Sequence, residues 1–279
     1  MTATLRRDEE VSVEQLPELL NRSPQERARI ILSAAKQGEL EAQVMLGQIL
    51  LQGAGIERDP ELAITWFRLA AQQQSPRAFN MLGRCYEHGW GCDSNLQTAA
   101  SYYRQAAERD LDWGMYNLAN LLATGRGVER DTTGALQLYW RAAQMGHAKS
   151  MNLVGRCYEE GLGVPANADI AFDWYQRSAH GGDFRGQFSY AGMLAARDQL
   201  DEAEHWLQQA LQKGNLNFLR VARNTLQQAP EPRLRAFALA YHQRAAELGD
   251  ESDKRALEDL QAGVCIPTRE RGNESNELV

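Results

Sequence analysis

No run of about 18 apolar residues occurs anywhere in this 279-residue chain, so it offers no helix able to span a bilayer. Nor does it open with a secretory leader: Arg6-Arg7 is followed by Asp8-Glu9-Glu10, where an apolar stretch would be needed. The expected location is the cytoplasm, with no membrane partner. Positive charge is also short. Lys and Arg total 30 against 37 Asp and Glu, a net charge of −7, which argues against nucleic acid as a primary partner.

Cysteine is scarce, with four in all. Cys85 and Cys157 both stand in a Gly-Arg-Cys-Tyr-Glu string. If each layer of helices advances by about one helix diameter, two such positions lie roughly 20 Å apart. A disulfide needs Cα atoms within about 7 Å, so these are small core residues. Cys92 and Cys265 have no evident partners, which agrees with a reducing compartment. Catalytic motifs are missing too, since no serine or cysteine nucleophile is paired with a base in any recognisable string. Cys85, His88 and Cys92 form Cys-x-x-His-x-x-x-Cys, part of a metal-ligand set without a fourth His or Cys nearby. A small hydrolase or metal-dependent enzyme built on that cluster is the alternative to weigh. The leading expectation is no enzyme, no metal and no cofactor.

What is present is a period. Small-residue pairs recur every 36 residues at Ala34-Ala35, Ala70-Ala71, Ala106-Ala107, Ala142-Ala143 and Ser178-Ala179. Leu46-Gly47, Leu82-Gly83, Leu118-Ala119 and Val154-Gly155 keep the same step, as do Gly53-x-Gly55, Gly89-x-Gly91, Gly125-x-Gly127 and Gly161-x-Gly163. Periods of about 20–50 residues indicate solenoids or arrays.

One unit, Leu40 to Gln73, shows how a copy folds. Ala42, Val44, Met45, Leu46, Ile49 and Leu50 recur at helical spacing and predict a helix over 40–51, which Gly53 stops. Asp59-Pro60-Glu61 opens the second helix with a cap, a first-turn proline and an acid at the positive end of the dipole. Asn95, Asp131 and Asn167 take the place of Asp59 in later copies. Ala63, Trp66, Phe67, Ala70 and Ala71 form the buried face of this second helix. Gly47 and Ala63 allow close approach, while Trp66 and Phe67 fill the groove between repeats. The Gly-x-Gly loops follow helices and lack the Lys and Ser/Thr of a phosphate loop, so they are turns.

The string Ala-x-x-x-Leu-Gly, then Gly-x-Gly-Val, then Asp, then Ala-x-x-Trp-Tyr-x-x-Ala-Ala-x-x-Gly resembles the Sel-one-like repeat, a cousin of the tetratricopeptide repeat. The resemblance covers about three quarters of the chain. It implies an all-α, right-handed α-solenoid of antiparallel helix pairs, and a scaffold or adaptor that holds another protein. The expected order is an N-terminal extension over 1–22, partly disordered, and a solenoid over 23–262. Within the solenoid, 23–39 is a cap helix, 40–185 four repeats of 36 residues, 186–250 two degenerate repeats and 251–262 a closing helix. A disordered tail follows over 263–279.

In such solenoids the first helix of each pair lines the concave groove. Its outward register, at steps of 3, 4 and 3 around the Leu-Gly pair, selects Arg77, Asn80 and Arg84 in the second copy. The third copy supplies Trp113, Tyr116 and Asn120; the fourth, Lys149, Asn152 and Arg156; the fifth, Arg185 and Phe188. Arginine clamps carboxylates and asparagine bonds peptide groups, so the expected partner is an extended or helical protein segment, acidic or ending in a carboxylate. Trp113 and Tyr116 are the expected anchors. The plain alternative makes Arg84–Glu87 and Arg156–Glu159 ordinary intrahelical pairs. Nothing in the sequence specifies the oligomeric state.

Overall fold

A computed structural model of the protein describes residues 23–263; the extension over 1–22 and the tail from 264 lie outside them. The described residues form fourteen α-helices and no strand. They fall into two compact units divided between Asp131 and Thr132, inside the third repeat.

The first unit holds α1 (Pro24–Lys36), α2 (Leu40–Gln52), α3 (Pro60–Gln72), α4 (Pro76–His88), α5 (Leu96–Ala107) and α6 (Asp112–Thr124). The second holds α7 (Thr132–Gln144), α8 (Ala148–Glu160), α9 (Ala168–His180), α10 (Phe184–Ala195), α11 (Leu200–Lys213), α12 (Leu216–Gln227), α13 (Pro232–Leu248) and α14 (Glu251–Gln261). Within each unit successive helices pack as antiparallel pairs joined by short loops, the layering of an α-solenoid.

Local chemistry explains where these helices begin and end. Asp59 accepts from the Leu62 amide at 2.9 Å, Asn95 from Thr98 at 2.9 Å, and Asn167 from Ile170 at 3.0 Å. At the other end of α2, α4, α6 and α8 the stop is a glycine in the left-handed region, with φ of 72°, 69°, 71° and 72°. The second glycine of each loop has a different task. A Cβ on Gly91 would lie 2.3 Å from the Pro60 carbonyl oxygen at the start of α3, so this loop presses its backbone against the preceding repeat.

In three of the pairs the core is an aromatic ring laid over a glycine. Phe67, Tyr103 and Tyr175 are fully buried, and a Cβ on Gly47, Gly83 or Gly155 would stand 2.4–2.7 Å from the ring opposite. Trp66 does not share that place. It is only half-buried, as is Trp174, which lies under the Arg177 guanidinium at 4.9 Å. The reason is angular: neighbours on a helix point about 100° apart, so only one of two adjacent aromatics can face the glycine. Two buried tyrosines also find acceptors. The Tyr103 hydroxyl donates to Glu87 Oε2 at 2.6 Å and that of Tyr175 to Glu159 Oε2 at 2.5 Å.

Candidate functional site

Helices α2, α4 and α6 in the first unit, and α8, α10 and α12 in the second, are the first members of their pairs. The residues expected on their outward side divide into three groups.

The asparagines are the clear correction. Asn80, Asn120 and Asn152 are each only 8% exposed, so they do not form a polar rim in solvent. Asn80 Oδ1 accepts from Asn117 Nδ2 at 2.8 Å, joining the first helices of successive repeats. A first helix is covered by its own partner and by the first helices beside it, and this narrows the strip that can face outward.

In the first unit Arg77 is exposed and ion-paired to Glu41 at 2.8 Å, an arrangement of little energetic weight. Trp113 is 42% exposed and meets the half-buried Tyr116 edge-on at 5.8 Å. Arg84 lies over the Trp90 ring at 5.1 Å, and the two border an open recess of about 430 Å³ with Gln48, Leu51, Gln52, Arg58 and Met81. Arg84 is not paired with Glu87, whose carboxylate instead takes Arg126 at 3.4 Å and Tyr103 at 2.6 Å.

The second unit brings four predicted residues together. Asn152 and Arg156 from α8 and Arg185 and Phe188 from α10 line one recess of about 150 Å³. Tyr175 of α9, Ser189 of α10 and Asn217, Phe218, Val221 and Ala222 of α12 complete it. Lys149 is half-buried and does not line it. Phe188 and Phe218 meet edge-on at 5.6 Å and make the apolar wall. Arg156 makes no ion pair with Glu159, whose Oε2 accepts from Tyr175, and the Arg156 Nε is enclosed without an acceptor. Asn152 Oδ1 is enclosed without a donor. Such enclosed groups are rare in folded proteins.

Asn217, Phe218 and Val221 escaped the sequence reading. Because the fifth copy is four residues shorter, the register after Arg185 advances by 32 to Asn217 rather than by 36. That shortened step was the available signal.

The Cys85, His88 and Cys92 alternative finds no support in the geometry. Cys85 is fully buried, and burial pushes its thiol up to about 12, which withholds the thiolate that nucleophile or ligand chemistry needs. Cys92 turns its thiol toward the Cys85 carbonyl at 3.7 Å, and the His88 ring rests on Trp90 at 4.7 Å. Among the described residues no group of three His, Cys, Asp or Glu side chains is placed to hold a metal ion. No helix among them is long and apolar enough to cross a membrane.

The family model of the Sel1 repeat matches residues 40–75, 76–111, 114–147, 148–183, 186–215 and 231–250. No curated protein matches the chain. Among solved structures the chain is similar to a Sel1 repeat protein from Oxalobacter formigenes. The two are 26% identical with a TM-score of 0.70, over 88% of this chain and 100% of that one. It is also similar to c5321, a protective antigen present in uropathogenic Escherichia coli strains that displays an SLR fold. There the identity is 24% and the TM-score 0.61, over 86% of this chain and 53% of that one. Immunity protein Pa5087 from Pseudomonas aeruginosa is 13% identical with a TM-score of 0.51, over 81% of this chain and 82% of that one. The last two are likenesses of fold alone.

Proposed function

Because this chain belongs to the Sel1 repeat family, whose members are typically scaffolds for protein–protein contact, we propose that it is a non-catalytic scaffold. Its partner is a protein segment that lies on the first helices of the repeats.

One observation carries this reading. In a chain of net charge −7, each unit has a recess lined by two arginines, at least one aromatic ring and no carboxylate. Arg58, Arg84 and Trp90 do this in the first unit; Arg156, Arg185 and Phe188 do it in the second. An acidic or carboxylate-terminated segment matches that chemistry, with the rings as anchors and the guanidinium groups steering encounter. The exposed Trp113 and its neighbour Tyr116 add a further anchor on α6.

Site-specific photo-crosslinking in the native cell tests the proposal. Crosslinkers at Tyr116 of α6 and Ser189 of α10 should trap a partner, and Arg84→Glu with Arg156→Glu should weaken the trapping. Crosslinkers on exposed positions of second helices, Leu69 and Leu239, should not. Trapping that arises from Leu69 and Leu239 alone would overturn the assignment of the face.

A further inference from the structure

The recess of the first unit carries two guanidinium groups that nothing balances. Arg58 donates its Nε–H to the Leu51 carbonyl at 3.1 Å. Arg84 rests on the Trp90 ring at 5.1 Å, with one nitrogen 3.9 Å from the Met81 sulfur. Among the described residues neither has a carboxylate partner, and both reach solvent, Arg58 exposed and Arg84 half-buried. Beside them lie the apolar surfaces of Leu51, Met81 and Trp90 and the exposed carboxamides of Gln48 and Gln52. At about 430 Å³ the recess falls within the range of ligand clefts, about 300–1,000 Å³, so a short stretch of chain fits across it.

Each feature states what would fill it. Two guanidinium groups call for carboxylates in close succession. Carboxamides bond both the N–H and the C=O of an extended backbone. The indole and thioether surfaces call for small apolar side chains next to that charge. Asp8-Glu9-Glu10 is the only run of three acids in the sequence, and Val11-Ser12-Val13 follows at once. Val11 and Val13, two residues apart, share one face of an extended segment. The start of α1 brings this stretch close. A Cβ on Gly55 would strike the Pro24 carbonyl, so the loop after α2 presses on the first turn of α1. Gln52 and Arg58, which line the recess, are each three residues from Gly55, at most about 11 Å along the chain. Twelve residues separate Glu10 from Ser23 and can span roughly 40 Å.

We propose that the acidic run of this chain's own N-terminal extension occupies the recess. The carboxylates of Asp8, Glu9 and Glu10 meet Arg58 and Arg84, and Val11 and Val13 cover Leu51, Met81 and Trp90. The proposal rests on the reading of this recess as a site for an acidic segment and names its occupant when no partner is bound. A short tether holds such a segment at an effective concentration in the millimolar range, so weak intrinsic binding is enough to fill the recess. A partner then has to displace a built-in competitor, which rejects weakly acidic segments.

Full-length protein carrying p-benzoylphenylalanine in place of Val11 is irradiated, and its crosslinks are mapped by mass spectrometry. They should join position 11 to Leu51, Met81 or Trp90 of the same chain. Mixing unlabelled and nitrogen-15-labelled copies identifies the chain, and crosslinks between copies would give the recess to a second molecule and overturn the proposal. Asp8→Asn with Glu9→Gln and Glu10→Gln should cut the yield about threefold or more, and an unchanged yield refutes the assignment. Arg58→Glu with Arg84→Glu should also cut it. Adding Asp8→Lys, Glu9→Lys and Glu10→Lys should restore it, which a merely misfolded variant would not show. The blocked peptide N-acetyl-Asp-Glu-Glu-Val-Ser-Val-amide, with no free chain end, is then titrated into full-length protein. The Trp90 indole N–H signal, assigned by its loss in Trp90→Phe, reports on the recess. In the chain with residues 8–10 neutralised, the signal should shift with a dissociation constant on the order of 1 mM. In the parent the tethered copy should weaken the peptide about threefold or more. Equal affinity in both chains, with no crosslink to the recess, refutes the tethered occupant alone. No shift in either chain at about 10 mM peptide refutes the reading of the recess as a site for an acidic segment.

Discussion

Gly83→Ala adds one methyl group and is expected to destabilise the first unit, against the intrinsic preference of a helix for alanine. The new Cβ would stand 2.5 Å from both Cδ1 and Cε1 of Tyr103. The ring has no room to retreat, being fully buried with its hydroxyl tied to Glu87 at 2.6 Å. Overpacking of this kind costs about 1–3 kcal/mol, while alanine in a helix interior returns up to about 1 kcal/mol. The third copy carries Ala119 at the equivalent position, so the fold can adapt to a Cβ there, which keeps the estimate low. A net loss of about 1–2 kcal/mol should lower the unfolding midpoint of a unit this size by roughly 4–8 °C. The control is Gly192→Ala on α10, where an added Cβ meets nothing within 4 Å. That variant should gain about 0.5–1 kcal/mol. Thermal melts followed by circular dichroism measure both. A third variant isolates the cause: with Tyr103→Leu already in place, Gly83→Ala should become neutral or favourable. If Gly83→Ala is stabilising in the parent, or equally harmful without the Tyr103 ring, the close contact of ring and glycine is not what holds the pair together.

Phe67→Ala should cost about 3–5 kcal/mol in a chemical melt, since the ring is fully buried. The half-buried Trp66→Ala should cost less, about 1–2 kcal/mol, and a reversed order would contradict the assignment of the core position. Burial, reinforced by Arg223 and opposed by Asp253, holds His242 near a pKa of about 4 against an ordinary 6.5. The unfolded chain then binds the extra proton, so this stability is fully present above about pH 6.5 and is lost as pH falls toward about 4. His242→Gln should flatten the melting midpoint over that window; an unchanged slope refutes the role. Asp253 is fully buried, takes Arg220 at 2.6 Å and Arg223 at 2.8 Å, and opens α14. Asp253→Ala leaves Arg223 uncompensated and Arg220 with Asp250 alone, at 3.2 Å, and should cost about 2–4 kcal/mol, partly discounted because Arg220 is half in water, with early amide exchange in α14 as its signature.

Helix boundaries were legible because their causes are local. Asp59, Asn95 and Asn167 cap the next few amides, and Gly53 through Gly161 stop helices by their own backbone preference, so a short window contains the whole mechanism. What lay between helices was less accessible. Trp66 and Phe67 are both large and apolar, and only the position of Gly47 across the pair decides which of them goes inside. The register places Asn80 outward, yet the neighbouring first helix brings Asn117 over it. The division after Asp131 left no trace in the sequence, because the 36-residue step from Ala106 to Ala142 runs through it unbroken.

The recess in the second unit was half legible, and the missing half explains why a recess exists. In regular copies the first helix opens on a small residue, Ala42, Ala78, Gly114 or Ser150, and carries a larger one four residues on, Leu46, Leu82, Leu118 or Val154. The sixth copy inverts these sizes: Phe218 stands at the small position and Ala222 at the large one. The Phe218 ring turns to Phe184, Phe188 and Tyr241, while Ala222 lines the recess. The loss of the repeat signal and the opening of the recess are thus one event. Ala222→Leu should test this, since it restores the regular residue and puts three more carbons beside a space of about 150 Å³. Filling an existing void should leave the melting midpoint unchanged or raised, in contrast to overpacking at Gly83. A fall in the midpoint as large as that of Gly83→Ala would mean that Ala222 is not what leaves the recess open.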